Sequence, residues 1–498
     1  MSFISVKNNQ CIKFAEIPVL SYNEFYNLII SELKDDANVH CVNYYGVPMG
    51  DKIQLICCLA DDAKHIINIV STIVSKNDTL QSITATHLSF QLFEREIHED
   101  FGIGFDGHPW LKPVRYPHNA ADKLQKMQNY PFYSIDSEEL HEVGVGPIHA
   151  GIIEPGHFRF ICNGEQILHL EIQLGYQHRG VETLFLLKKK LLQRATLAEN
   201  IAGDTTIGHS LAFANAWESL CGFQPSKQLQ LERALALEQE RIAIHTGDLS
   251  GICTDIAYQL GNSVFGRLRT PLINYFQRWT GNRFAKGLIR PGKTNFPFTP
   301  DLRDQWFDVI QAYKPDFIEM AEQMFDLPSV LSRLERTGIV EPQTALQIGM
   351  VGMAARASNL NRDVRASHPF GYYQMLDYQP IIEPIGDVYC RARIRYDEVL
   401  RSIDIMSNIV DIMQFDNQQV KLGNPSPDSF VISLVEGWRG EICHCAITDS
   451  NGDLKHYKVK DPSFHNWLGL ALAVRNNEIS DFPICNKSFD LSYSGHDL

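Results

Sequence analysis

The chain has 498 residues, 44% hydrophobic and 21% charged, which is the balance of a globular protein and not of a disordered one; its length predicts more than one domain. Its 45 basic and 59 acidic side chains give a formal net charge of −14, which repels phosphate backbones, excludes nucleic acid as a natural partner and makes any membrane contact indirect, through protein partners. The opening MSFISVKNNQCIKF lacks the basic start and apolar run of a secretory signal, and stretches such as Ile66–Val74 and Leu468–Val474 fall short of the ~20 residues of a spanning helix.

In chain order, residues 1–118 mix short strand-like runs (Ile53–Leu59) with a helical pattern around Asp62–Val74, and end in FGIGFDGHPWLKPVRYP. This predicts a small N-terminal α/β domain. Residues 119–143 have no strong period and carry DSEELHE, the texture of a linker. From Gly144 the texture changes. FRFICNGEQILHLEIQL predicts a hairpin turning at Asn163-Gly164, with Leu168, Leu170, Ile172 and Leu174 alternating along its second strand. Between about Leu186 and Met413 the pattern is helical. Leu231, Leu235, Ile242 and Leu249 share one stripe, and Val399, Ile403, Met406, Val410 and Met413 share another. After Asn424-Pro425 the alternation of strands returns in VISLVEGWRGEICHCAIT, with a turn at Asn451-Gly452 before HYKVK. The predicted class is α+β. Residues 144–498 form a mainly helical bundle with small antiparallel sheets at its beginning and end. Eleven cysteines in a chain of this length predict a reducing compartment and no disulfide framework.

Four segments concentrate polar chemistry. FEREIHEDFGIGFDGHPWLKPVRYP, with His98 and His108, reads as a docking loop. GVGPIHAGIIEPGHFRF and LGYQHRGVET bracket the hairpin, so His149, Glu154 and His157 can converge with Tyr176, His178, Arg179 and Glu182, either as a buried polar turn or as a site. On the long helix, Glu238 and His245 share the stripe of Leu231 and Leu249, so they must meet partners inside the bundle, as a structural pair or as a proton-handling chain. ARASNLNRDVRASHPFGYY supplies Arg356, Arg362, Asp363, Arg365 and His368.

These segments carry a resemblance. Residues 93–117 closely resemble the end of the complex I "C" subunit domain, which packs the peripheral arm and performs no chemistry. The EPGHFR and GYQHRGVE motifs look like the opening of large subunits of membrane-bound [NiFe]-hydrogenases of the formate-hydrogenlyase type and, less closely, the complex I "D" subunit. The resemblance covers about Leu88–Tyr116 and nearly everything from Gly144 onward. It implies a C-type domain over 1–118 fused through 119–143 to a D-type domain over 144–498.

A nickel–iron centre in this superfamily takes its thiolates from two Cys-x-x-Cys pairs. The cysteines here, at 11, 41, 57, 58, 162, 221, 253, 390, 443, 445 and 485, include no such pair. By the resemblance the four ligand positions are Ala202 and Thr205, before the His-Ser at His209, and Ser492 and Gly495 in SFDLSYSGHDL; the chain shows no C-terminal extension of the kind processed in active hydrogenases. No nickel–iron or iron–sulfur cofactor is expected in this chain, since clusters also need about four cysteines. The histidine and tyrosine that hold the quinone head in the "D" subunit align near Pro155 and at Ile207, so a quinone would need other ligands, such as Asp204, Thr205 or His209.

The resemblance therefore implies a large subunit lacking a nickel–iron centre, at the cytoplasmic face of the inner membrane. Its expected partners are an iron–sulfur small subunit and membrane-arm subunits. Its expected role is coupling electron transfer, of NADH/quinone or ferredoxin type, to ion translocation, with a non-redox coupling subunit as the alternative. The candidate site residues are His149, Glu154, Tyr176, His178, Arg179, Glu182, Asp204, His209, Glu238, His245 and Arg365.

Overall fold

The strands Val39–Met49, Lys52–Asp61 and Ile66–Ser75 form an antiparallel meander, edged by Ile4–Val6 antiparallel and Val19–Leu20 parallel to the third strand. These come from a computed structural model that describes residues 3–34, 37–151, 153–415 and 421–498. Gly50, at φ +65°, makes the first turn. The apolar run of the middle strand is unbroken because both of its faces are covered. Leu55, Cys57 and Leu59 pack with Phe25 and Ile29 of the helix Tyr22–Leu33 and with Phe93 and Ile97 of the helix Gln91–Phe101. Ile56, Cys58 and Ala60 belong to a second core that continues through Phe430 and Ile432 into the helical domain.

The helix expected around Asp62–Val74 is instead a strand. Its sequence IINIVSTIVS is dominated by β-branched residues, and the alternation that sends Ile67 and Ile69 to one face and Val70 and Val74 to the other suits a sheet with two covered faces. His65, at φ +57°, closes the turn before it.

The predicted hairpin is present as His157–Asn163 and Gln166–Gln173, with Gly164 at φ +56°, and His141–Val145 from the end of the connector adds a third strand. At the other end, Ser429–Glu436, Glu441–Thr448 and Leu454–Lys460 form the second antiparallel sheet. Its free edge is taken by Ile12–Lys13, from the opposite end of the chain. The N-terminal region thus shares a sheet as well as a core with the C-terminal region.

Between the sheets, the helix Lys227–Asp255 packs against Gln259–Thr280 and Val388–Ile412. Ser226 Oγ accepts from the Leu229 N–H, and the Asp387 carboxylate accepts from the Cys390 N–H, at the starts of the first and last of these. Both predicted stripes are buried. The long helix is covered nearly all round, so its polar residues Glu238, Glu240, Arg241, His245 and Asp248 are interior too and have to be paired. No helix among the described residues is long and apolar enough to cross a membrane.

Candidate functional site

The loop after the hairpin and the last residues of the chain are tied together by backbone geometry. The N–H groups of Gly175 and Gln177 each donate to the Asp497 carboxylate at 2.8 Å, and His178 Nδ1 lies 2.7 Å from the Asp497 carbonyl oxygen. Arg179 donates to the carbonyls of Ile201 and Ser494 at 2.8 and 3.1 Å, joining this loop to the segment before the helix Thr206–Leu220. Ala202, Thr205, Ser492 and Gly495 are brought to one region in this way.

That region is built from salt bridges. Arg439, in the turn of the second sheet, forms a two-pronged pair with Asp204 at 2.6 Å on each side. It also donates to Thr205 Oγ1 at 3.0 Å, and its guanidinium stacks 3.9 Å from the Trp438 ring centroid. Burial opposes the charge on Arg439, but Asp204 outweighs it and raises its pKa. Ser492 Oγ accepts from the Gly495 N–H at 2.9 Å as a helix cap, and a Cβ at Gly495 would stand 2.7 Å from the Asp461 carboxylate. A nickel–iron centre does not fit these residues. Ala202 and Gly495 offer no donor atom, the two hydroxyls are hard ligands already hydrogen-bonded, and Asp461 stands where a side chain at 495 would go.

A line of hydrogen bonds leads away from Asp461. His209 Nε2 is 2.9 Å from Asp461 Oδ2, His209 Nδ1 is 3.1 Å from His444 Nε2, and His444 Nδ1 is 2.8 Å from the Tyr457 hydroxyl. All four side chains are buried. Burial pushes Asp461 up, but the hydrogen bond and charge of His209, with Arg439, more than offset this and hold it at about 2. Burial and His209 hold His444 well below the usual imidazole range, and burial raises Tyr457. An ionised Asp461 can only accept, so His209 Nε2 carries a hydrogen. With neutral rings, His444 Nε2–H then donates to His209 Nδ1 and Tyr457 O–H to His444 Nδ1. Protonating His209 reverses the His209–His444 and His444–Tyr457 bonds and leaves the bond to Asp461 unchanged. The chain therefore has two fully hydrogen-bonded polarities that differ by one proton.

Tyr457 stands in the wall of a cleft of about 660 Å³ between the helix Gln91–Phe101 and the segment 178–186. His178, Arg179 and Glu182 line it, with Glu96, Glu99, Asp100 and Arg115 opposite. Lys458 bridges the two sides, 2.5 Å from Glu96 and 3.1 Å from Glu182, and the Val459 N–H donates to Glu182 at 2.9 Å. Burial pushes Glu182 up, but Lys458 and Arg115 outweigh it and lower it. Asp100 is pushed up to about 7 by burial, against the pull of Lys458 and with help from Glu182 and Glu99. Burial lowers His178.

Glu238, His245 and Arg365 lie apart from this cleft, in a buried ion network. Glu398 accepts from Arg356 at 2.7 Å, Arg365 at 2.6 Å and His245 Nε2 at 2.8 Å. Glu238 accepts from Arg241 and Ser402, at 3.1 and 2.5 Å, and from the Tyr373 hydroxyl. Asp363 pairs with Arg365 and Glu436 with Arg356, at 2.6 and 2.8 Å. Four carboxylates here face three guanidinium groups, and the surplus falls on Glu436, pushed up to about 7 by burial and by Asp363. The charges continue through Asp248, Lys487 and Asp490, at 3.1 and 2.9 Å, to Arg439, 3.8 Å from Asp490.

The predicted residues thus fall into separate groups. His178, Arg179 and Glu182 share the cleft, Asp204 and His209 the altered centre, and Glu238, His245 and Arg365 a solvent-excluded network. Glu154 reaches the centre's rim, accepting from the Tyr493 N–H at 3.3 Å. His149 Nε2 binds the Gly156 carbonyl at 2.8 Å, and the Tyr176 hydroxyl donates to Gln173 at 2.9 Å. Sequence reasoning missed Arg439, His444, Tyr457, Asp461 and Glu398. One signal was present: His444 sits alone between two cysteines in an apolar strand, on the face opposite theirs.

Two stretches of the chain, in order, are similar to complex I domains of the 30 kDa and 49 kDa types, joined here in one chain. The respiratory-chain NADH dehydrogenase 30 Kd subunit family matches residues 23–131 and the 49 Kd subunit family residues 259–426. Among individual relatives, the chain is 27% identical over 419 residues to formate hydrogenlyase subunit 5 of Escherichia coli, covering 80% of this chain and 74% of the relative. It is 26% identical over 389 residues to hydrogenase-4 component G of the same organism, covering 78% and 67%. With the C/D protein of NADH-quinone oxidoreductase from Phocaeicola vulgatus it shares 25% identity over 460 residues, covering 84% and 86%. The chain is homologous to both groups, the hydrogenase large subunits and the complex I subunits.

Proposed function

We propose that this chain is the large subunit of a membrane-associated oxidoreductase complex, lacking a nickel–iron centre, in which electron transfer is coupled to ion movement and this chain conducts protons. The observation that carries the reading is the unbroken line Tyr457–His444–His209–Asp461 between the cleft and the altered centre. In one transfer the Tyr457 hydrogen moves to His444 Nδ1 and the His444 Nε2 hydrogen to His209 Nδ1, while His209 keeps its Nε2 hydrogen against the ionised Asp461. One proton arrives at His209, His444 exchanges tautomer, and the Tyr457 oxygen takes a proton in its turn. Asp100, an acid of the cleft pushed up to about 7, would supply that proton. Glu238, His245 and Arg365, with Glu398 and Glu436, form a charge reservoir reached through Asp248 and Lys487.

On this reading residues 1–118 serve as the C-type domain, 119–143 as connector and 144–498 as the D-type domain. The chain would seat an iron–sulfur small subunit and membrane-arm subunits at the cytoplasmic face of the membrane. His149, Glu154 and Tyr176 would shape the rim and the connector. A second reading, a non-redox coupling subunit, is favoured by the replacement of all four ligand positions at Ala202, Thr205, Ser492 and Gly495.

Purification of the complex with its partners tests both. The first reading expects a cluster-bearing neighbour and turnover that Glu182→Gln and His178→Ala reduce without loss of assembly. A complex that holds no cluster supports the second reading, and parallel losses of assembly and turnover in the two variants make the cleft structural.

A further inference from the structure

A second cavity, of about 360 Å³, opens where three parts of the chain meet. These are the helix Gln91–Phe101 with the loop at 109–114, the connector at Tyr130 and Tyr133, and the helix Ser463–Ala473 beside the strand Gln166–Gln173. It belongs neither to the cleft nor to the relay, and the proposed function does not use it. Its size sits at the lower end of small-molecule sites.

Its lining is unusual for so acidic a chain. The walls are apolar and aromatic, with Trp110, Tyr130, Trp467 and Leu468, and they carry three cations, Arg95, Lys112 and Arg475, against one carboxylate, Glu171. Glu171 is already occupied: it pairs with Lys112 and accepts from the Tyr130 hydroxyl at 3.2 Å and the Tyr133 N–H at 2.7 Å. Arg95 has no such partner. Its guanidinium donates to neutral acceptors, the carbonyls of Lys112 and Pro113 at 2.8 and 2.7 Å and Gln91 Oε1 at 3.3 Å, with no carboxylate within 4.0 Å among the described residues. Glu99, one turn along the same helix, is committed to the N–H groups of Arg115 and Tyr116 at 2.9 and 2.8 Å. Yet Arg95 is only 9% exposed. The buried indole N–H of Trp467 also has no acceptor among the described residues. A desolvated cation without a counter-ion is costly, and an anion entering from solvent would relieve that cost.

We propose that this cavity binds a small planar organic anion, of the aromatic carboxylate class, its ring against the tryptophan and tyrosine walls and its charge neutralising Arg95 and Arg475. Arginine suits the role because its fork matches a carboxylate, and aromatic walls give a flat ring contact area at little entropic cost. Because the lining comes from both domains and the connector, a bound anion would also link them.

The test is titration of the full-length chain with 2-naphthoate and with the uncharged 2-naphthamide, by calorimetry and tryptophan fluorescence. The expected result is one saturable site with the carboxylate at least about tenfold tighter than the amide. Arg475→Glu, at an exposed position, should weaken naphthoate about fivefold or more, and Ala471→Phe, which fills the cavity, should remove binding with an unchanged melting curve. Absence of saturation up to millimolar naphthoate, equal affinity for the amide, or parent-like affinity in either folded variant would overturn the proposal. If Ala471→Phe does not fold, the amide comparison and Arg475→Glu decide.

Discussion

His209 Nδ1 lies 3.1 Å from His444 Nε2, so two imidazoles from a helix and a strand, 235 residues apart in sequence, share one hydrogen in a fully buried interior. Burial first, and then the like ring in contact, hold His444 neutral, while the Asp461 carboxylate accepts from His209 on its other side.

Tyr457→Phe keeps the ring stacked on Phe185, 4.2 Å between centroids, and removes only the hydroxyl. His444 Nδ1 then loses its partner, so denaturant unfolding should show a loss of about 1–3 kcal/mol. Proton-coupled turnover of the assembled complex should fall by about 100-fold or more. Turnover at the parent rate would remove the relay from the mechanism.

Asp461 gives a pH signature. Its folded pKa of about 2 lies below its ordinary value of 3.8, so between these values the unfolded chain binds more protons. Its contribution is fully present above about pH 4 and is lost as the pH falls towards 2, by about 2–3 kcal/mol in all. Unfolding measured from pH 2 to 5 should have a shallower slope in Asp461→Asn than in the parent, and equal slopes would contradict the assignment.

Glu398 faces Arg356, Arg365 and His245 with no exposed atoms to spare. Glu398→Gln leaves buried guanidinium groups uncompensated and should cost about 3–5 kcal/mol. At the surface pair Arg267–Asp316, where both side chains are largely exposed, Asp316→Asn should change stability by less than about 1 kcal/mol. Similar effects at both positions in chemical denaturation would mean that burial does not set the strength of the network.

Elemental analysis of the complex should find no stoichiometric nickel in this subunit, and Gly495→Cys should not restore it. The new Cβ would lie 2.7 Å from Asp461 Cγ, so the aspartate would have to shift before a thiolate could point into the centre. Gly495→Ala alone should destabilise the chain by about 1–3 kcal/mol through the same overlap. About one nickel per parent chain would refute the reading of the four positions.

Limited proteolysis should cut within 119–143, which is mostly exposed and irregular. The two pieces should separate on a denaturing gel but elute together at the intact mass of 56.6 kDa, because Ile12–Lys13 and the second face of the N-terminal sheet are part of the C-terminal core. Pieces that elute separately would mean that the shared core is too weak to hold them.

The sequence alone determined whatever depends on local pattern. The hairpin at Asn163-Gly164, the two helical stripes and the closing strands follow from periodicities of 2 and 3.6 that each segment carries by itself. The chemistry of Ala202, Thr205, Ser492 and Gly495 was legible in the same way: by the resemblance they stand where a nickel–iron site would need thiolates, and none of them carries one. At Asp62–Val74 local pattern misled, because a β-branched run reads as either element until the sheet beside it is known.

Tertiary structure decided the pairings. Nothing near His209 in sequence points to His444, Tyr457 or Asp461, and nothing near Asp204 points to Arg439; these groups meet because the C-terminal sheet folds back onto the helix Thr206–Leu220. The same folding separated residues that the sequence had grouped, leaving Glu182 in a cleft and Glu238 in a buried ion network. Burial and counter-charge depend on which distant segment supplies the neighbour, and they set whether a carboxylate holds its proton, as Glu436 does near neutrality, or gives it up, as Asp461 does.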